Sequence, residues 1–184
     1  MSDELIVRHC SPTLAGLKAG SLFSCRCDDP RTLTAELRRL NRALAPKGLR
    51  VLPLLVREGR ALIYLYRPRA LEKELQRSGA RRLLEERGYL PGQCVAQLAR
   101  RVRAQGQFPN EIGLFLSYPP EDVEGFCRHK GQNFKICGCW KVYGDQEAAC
   151  RCFDRYDRCR KAVCRRLGQC PLMEMFRPLR EQGA

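Results

Sequence analysis

Apolar residues in this chain recur at two periods, and the places where one gives way to the other mark its elements. Leu33, Leu37, Leu40 and Leu44 are spaced three and four apart, the stripe of a helix, while Arg38, Arg39 and Arg42 fall away from it. Asp29 and Pro30 precede the stripe as cap and first-turn residue, and Pro46-Lys47-Gly48 ends it. In Ser21–Cys27 the period is two, which predicts a strand with Phe23, Cys25 and Cys27 on one face. Leu49–Val56 and Arg60–Tyr66, joined by Arg57-Glu58-Gly59, read as a hairpin. Pro53 places its first strand at an edge or at a bulge. The second strand is apolar on both faces and belongs at the centre of a sheet.

The remaining segments are read the same way. Ser11 and Pro12 predict the cap and first residue of a short helix running to Gly20. Pro68 opens a helical region, broken at Gly79 and Gly88, that reaches about Gln105 with Val95, Leu98, Ala99 and Val102 at helical spacing. Ile112–Leu116 reads as a short buried strand. Pro119-Pro120-Glu121-Asp122 starts a helix with Val123, Phe126 and Cys127 on one side. Cys137–Tyr143 reads as a last strand, carrying the only tryptophan, Trp140. Asp145 caps a long helix to about Leu167, with Ala149, Cys152, Phe153, Tyr156, Cys159, Val163, Cys164 and Leu167 along one stripe. Residues from 171 onward are weakly patterned and read as a loose tail. The expected fold is α+β: a single domain over 1–184, with a mixed sheet of about five strands including one hairpin, helices packed on it, and a long C-terminal helix.

Composition narrows the function classes. No apolar run approaches the ~20 residues a bilayer span needs, and Met1-Ser2-Asp3-Glu4 lacks the basic start of a secretion signal. A cytoplasmic protein with no membrane association is expected. In that compartment the 12 cysteines are thiols, metal ligands or small packing residues rather than disulfides. The net charge of +14, from 27 Arg and 7 Lys, points to an anionic partner such as nucleic acid or to solvated helix faces. The cations are dispersed, and neither an RNA-recognition nor a helix-turn-helix signature is present. There is no P-loop, dinucleotide glycine motif or Ser-His-Asp pattern, and only His9 and His129 could serve as imidazole bases.

The thiols carry the candidate chemistry. Cys10, between His9 and the expected helix start at Ser11, would feel the positive end of that helix and the charge of Arg8, which together stabilise a thiolate. Cys25 and Cys27, and Cys137 and Cys139, are pairs spaced by two, so on a strand each pair faces one side and could chelate a metal or exchange disulfides. For Cys25 and Cys27 the core face shared with Phe23 is the better reading. Cys94, Cys127, Cys150, Cys152 and Cys164 read as helix packing residues, and Cys170 lies in the tail.

His9-Cys10-Ser11-Pro12-Thr13-Leu14-Ala15-Gly16-Leu17-Lys18, Phe108-Pro109-Asn110-Glu111-Ile112-Gly113-Leu114-Phe115-Leu116 and Gly138-Cys139-Trp140-Lys141-Val142-Tyr143 together resemble an uncharacterised single-domain family of unknown function, common in anaerobic Firmicutes. The resemblance covers nearly the whole chain. It implies a redox or iron setting, since genes of such proteins often lie near flavodoxin and iron-uptake genes. It also singles out Cys159, where the family pattern tends to have a cysteine. Relatives often carry histidine where this chain has Asn110, which removes one candidate partner for Cys10.

The leading expectation is a small cytoplasmic accessory protein that handles a metal, zinc or iron, or redox equivalents through a Cys/His cluster of His9, Cys10, Cys137, Cys139 and Cys159. Two others stay open: a binding module for an anionic partner, and a thiol enzyme with Cys10 as nucleophile.

Overall fold

The computed structural model describes residues 1–167, 169 and 172–176. Helix α1 (Asp3–Leu14) leads into β1 (Gly20–Arg26), α2 (Pro30–Leu44) and the hairpin of β2 (Arg50–Arg57) and β3 (Arg60–Tyr66). Then follow α3 (Pro68–Leu75), α4 (Ser78–Glu85), α5 (Cys94–Gln105), α6 (Ile112–Phe115) and α7 (Pro120–His129). A small ribbon of β4 (Ile136–Cys137) and β5 (Lys141–Val142), the long α8 (Gln146–Leu167) and α9 (Leu172–Met175) complete the described chain. No helix among the described residues is long and apolar enough to cross a membrane.

The fold is built on β3. It lies between β1 and β2, antiparallel to both. Its alternation sends Ala61, Ile63 and Leu65 into one core and Leu62, Tyr64 and Tyr66 into another. The hairpin turns through Glu58 and Gly59, both at positive φ, which fits the twist of the flanking strands. Pro53 is accommodated in both of the expected ways. Strand β2 is an edge, and the register shifts so that Pro53 faces Ile63, Leu55 faces Leu62, and Leu54 is left over, fully buried in the second core.

The first core holds the α2 leucine stripe, Phe23, Cys25, Cys27, and Ile6, Val7, Cys10 and Leu14 of α1, with Val163 of α8 and Leu172 and Met175 of α9. Asp29 caps α2 by accepting from the Arg31 and Thr32 amides, each at 3.0 Å. The second core is filled by α3 to α7. A third, smaller one joins the ribbon to α8 through Trp140, Val142, Ala149 and Tyr156.

Several segments differ from the sequence reading, among them the helical break expected at Gly79, which falls at Gln76–Arg77 with Gly79 inside α4. Helix α1 begins at Asp3, not at Pro12. The Ser2 hydroxyl caps it, Asp3 and Glu4 complement its positive end, and Pro12 lies inside its last turn. Ile112–Phe115 is a helical turn rather than a strand, since so short an apolar run has no periodicity to distinguish the two. Gly113 allows the turn to pack closely, because a Cβ there would come within 2.7 Å of Val123 and 2.9 Å of Tyr118. Cys137–Tyr143 folds back at Gly138–Trp140, so the five strands divide into an antiparallel sheet of three and a ribbon of two. Of the expected tail, Leu172–Met175 is helical and packs into the first core, while 171 and 177–184 lie outside the described residues.

Arg67 closes the C-terminal end of α1. Its guanidinium donates to the carbonyls of Thr13 (2.7 Å), Leu14 (2.6 Å) and Lys47 (3.1 Å). Arg67→Ala should lose about 2–3 kcal/mol of stability, read as a lower urea midpoint at unchanged slope. Arg67→Lys should recover only a minor part, because an ammonium cannot present the same planar fork.

Candidate functional site

The link between α1 and β1 is fixed tightly. Leu17 donates its amide to the Pro12 carbonyl at 2.8 Å, Ala19 donates to the Ser117 hydroxyl at 2.7 Å, and the Ala19 carbonyl accepts from Arg67 at 2.8 Å. These bonds hold Lys18 half-buried between two tyrosines, its Nζ 5.7 Å from each of the Tyr118 and Tyr156 ring centres. Tyr118 stacks on Trp140 at 4.9 Å, and Trp140 meets Phe153 edge-on at 4.6 Å.

Asp122 anchors the ribbon that brings Trp140 there. One of its oxygens accepts from the Trp140 indole at 2.7 Å, and the other from the Tyr143 and Gly144 amides, each at 2.7 Å. The Tyr118 hydroxyl donates to the Cys139 carbonyl at 3.2 Å, pinning the turn that carries this cysteine. Gly138 is required beside it, since a Cβ would fall 2.2 Å from the Phe153 ring.

Three thiols feel the charge of Lys18. Burial pushes its pKa below the ordinary lysine range, while Cys139, Cys10, Cys152 and Glu74, in that order, act to keep the proton on it. Cys139 is the exposed member, Cys152 is half-buried and Cys10 is fully buried. Partial burial raises the Cys139 pKa, with Lys18 pulling it down and Cys152 adding to the rise. Burial pushes the Cys10 thiol up to about 12 against Lys18 and the Ser21 hydroxyl. The amine thus moves down and the Cys139 thiol moves up. Each charge partly offsets the cost of burying the other, and Lys18 favours the thiolate form of Cys139 against its burial. Tyr118, raised to about 12 by burial, remains a hydrogen-bond donor.

A family model described as a protein of unknown function, DUF3793, matches residues 6–175. The chain belongs to the DUF3793 family. No curated protein and no solved structure matches it. The matched region runs from α1 to the last residue of α9 and contains every side chain of the lysine–thiol site.

Within this DUF3793 chain, two of the five expected site residues, Cys10 and Cys139, lie in the field of Lys18. The other three do not join them. His9 stacks on Phe23 at 6.1 Å on an exposed side of α1, and its pKa is lowered by burial and then by Arg8 and Arg160. Neighbours on a helix point about 100° apart, so His9 and Cys10 diverge. Cys159 packs against the first core, and burial raises its pKa. Cys137 is exposed on β4. Among the described residues no group of three or more His, Cys, Asp or Glu side chains stands close enough to hold a metal ion.

The helix-end account of Cys10 is corrected by the position of α1: the cysteine lies eight residues into the helix, sealed in the core, where no positive end of the helix reaches it. Cys25 and Cys27 are core residues as expected, but Cys150 and Cys164, read as packing residues of α8, are exposed. His129 is exposed and stacks on Tyr143, and Cys170 lies outside the described residues. Lys18, Tyr118, Asp122 and Tyr156 were not singled out by sequence. A lysine among 34 cations shows nothing of its burial, although Lys18 closes the first of the three stretches that carry the family resemblance.

The Cys10 thiol has a pH consequence. The unfolded chain ionises it near its ordinary value of 9.0, whereas the fold keeps it protonated to about 12. Over that window the folded state binds the additional proton, so its stability falls as pH rises, by about 1.4 kcal/mol per pH unit for this one group. Cys10→Ala should flatten the stability–pH curve between 9 and 12 by that amount, measured by urea unfolding at a series of pH values.

Proposed function

We propose that this DUF3793 protein is a cytoplasmic thiol–disulfide exchange protein, with Cys139 as the attacking thiol, Cys152 as the resolving thiol and Lys18 as the group that holds or takes the Cys139 proton. The observation that carries this reading is one lysine acting on three thiols, graded from exposed Cys139 through half-buried Cys152 to buried Cys10. It favours the redox half of the sequence expectation over the metal half, since these thiols are arrayed along a cation rather than around a shared centre. Cys10 becomes a buried support for Lys18 instead of the nucleophile.

The step balances without another reactant. Lys18 accepts the Cys139 proton, and the thiolate attacks one sulfur of an incoming disulfide and expels the other as a thiolate. Lys18 returns its proton to the first sulfur expelled; Cys152 then attacks the Cys139 sulfur in the mixed disulfide, its own proton passing to the second substrate sulfur, which leaves as a thiol with Cys139 bonded to Cys152. The protein is oxidised by two electrons and the substrate reduced by two. The +14 charge would draw an anionic disulfide towards the site.

The test uses dithiobis-nitrobenzoate, a dianionic aromatic disulfide, at less than one equivalent, with peptide mapping of the products. Cys139 should be the exposed cysteine that ends in an intramolecular disulfide, while label on Cys137, Cys150 and Cys164, which are also exposed, should persist as mixed disulfide. Each reagent molecule should release both of its thiolates and leave a Cys139–Cys152 bond. In Cys152→Ser only one thiolate should be released and the mixed disulfide on Cys139 should persist. Equal labelling of all four exposed cysteines would refute the assignment.

A further inference from the structure

A cavity of about 1060 Å³ opens between α3, α4 and α5, beside strand β2 and apart from the lysine–thiol site. Its floor and walls are aliphatic: Leu52, Leu71, Leu75, Leu84, Val95 and Ala99. Tyr89 also lines it, but its hydroxyl is committed to the buried Glu111 at 2.9 Å and offers nothing to a ligand. The charged groups stand at the margins. Arg81 is held by Glu85 at 2.7 Å. Arg103 spends its Nε and Nη2 on the carbonyls of Leu54 and Pro53, at 3.2 and 3.0 Å, which anchors the guanidinium and leaves Nη1 free. Arg100, three residues before it on the exposed side of α5, has no carboxylate partner among the described residues. Glu72 on the α3 wall disfavours an anion at that side, so the margin is polarised towards α5.

We infer that this groove binds a small amphipathic anion: an unbranched acyl chain along the aliphatic floor, with a carboxylate or phosphate head at Arg100 and Arg103. Its size is at the upper end of what small-molecule sites enclose. Apart from Tyr66 and Gln76, which also line the groove, its uncharged lining offers no uncommitted side-chain oxygen or nitrogen, which favours a plain hydrocarbon body, because a polar substituent against the aliphatic part would lose its water without replacement. The one uncompensated guanidinium and the one anchored guanidinium select the sign of the head.

The probe is decanoate below its micellar concentration, titrated calorimetrically into the full chain, with hexanoate, decan-1-ol and decyltrimethylammonium for comparison. Decanoate should bind saturably with a negative heat-capacity change. Hexanoate should bind on the order of a hundredfold more weakly, at about fourfold per methylene removed. Arg100→Glu, an exposed substitution that leaves the core intact, should weaken decanoate by about tenfold or more and leave decan-1-ol unchanged. Absence of saturable decanoate binding would overturn the inference. So would equal affinity for decanoate and decyltrimethylammonium. A chain that sediments as a dimer, and becomes monomeric in Arg100→Glu, would show instead that a second copy covers the groove.

Discussion

Asp122→Ala should cost about 3–5 kcal/mol and release the β4–β5 ribbon from the body of the fold. The carboxylate is 3% exposed and is the acceptor for the Trp140 indole and for the Tyr143 and Gly144 amides. Alanine removes the acceptor and leaves these donors without partners, and each such loss in a buried setting costs about 1–3 kcal/mol, less whatever water re-enters. Asp122→Asn should cost about half as much, since an amide oxygen can still accept from the two backbone groups while its NH₂ opposes the indole N–H. Trp140 is the only tryptophan, so its emission reports the ribbon alone. A red shift in Asp122→Ala at denaturant concentrations where the sheet is still folded is the expected signature. A loss below about 1 kcal/mol, with unshifted emission, would mean that the ribbon is held by ring packing instead.

Gly20→Ala should be comparably damaging, by about 3 kcal/mol or more. The residue opens β1 directly after the Lys18 link, and a Cβ there would fall 2.3 Å from the Phe115 carbonyl oxygen and 2.4 Å from the Tyr64 hydroxyl. That hydroxyl is fully buried and donates to the same carbonyl at 2.6 Å. The methyl group would therefore break a buried hydrogen bond as well as overfill the space. Tyr64→Phe removes the hydroxyl, leaving the Phe115 carbonyl and the ring carbon 2.7 Å from the Cβ position, so adding it to Gly20→Ala should cost less than it does in the unaltered chain. Urea unfolding of the four proteins in a double-mutant cycle measures this directly. Strict additivity would show that the carbonyl contact alone decides the outcome.

What could be read from sequence was whatever has a long period. The α2 stripe, the Asp29 cap, the β2–β3 hairpin, the Pro53 bulge and the full length of α8 are legible because each repeats one physical signal over several residues. The misreadings fall on short segments with two solutions. Ser11-Pro12 carries the residue types of a helix start, yet Ser2 with Asp3 and Glu4 is the real one, and Pro12 lies in the last turn, whose final carbonyls Arg67 takes up. Cys137–Tyr143 has the composition of one strand, but Gly138 admits the Phe153 ring and turns the chain back.

The site was half legible for a related reason. Cys10 and Cys139 stand out as residue types, whereas the lysine that joins them is chemically ordinary until the fold encloses it. The metal expectation required His9, Cys137 and Cys159 to converge with them, and the helical rotation between His9 and Cys10 alone is enough to separate two of the five.

The central claim is that Lys18 governs the reactivity of Cys139. The direct measurement is the rate of iodoacetamide alkylation at Cys139, followed by mass spectrometry across pH, in the unaltered protein and in Lys18→Met, with exposed Cys137 as the internal reference. Loss of the cation should slow Cys139 at neutral pH and move its profile to higher pH while Cys137 stays unchanged. Superimposable Cys139 profiles in the two proteins would contradict the account.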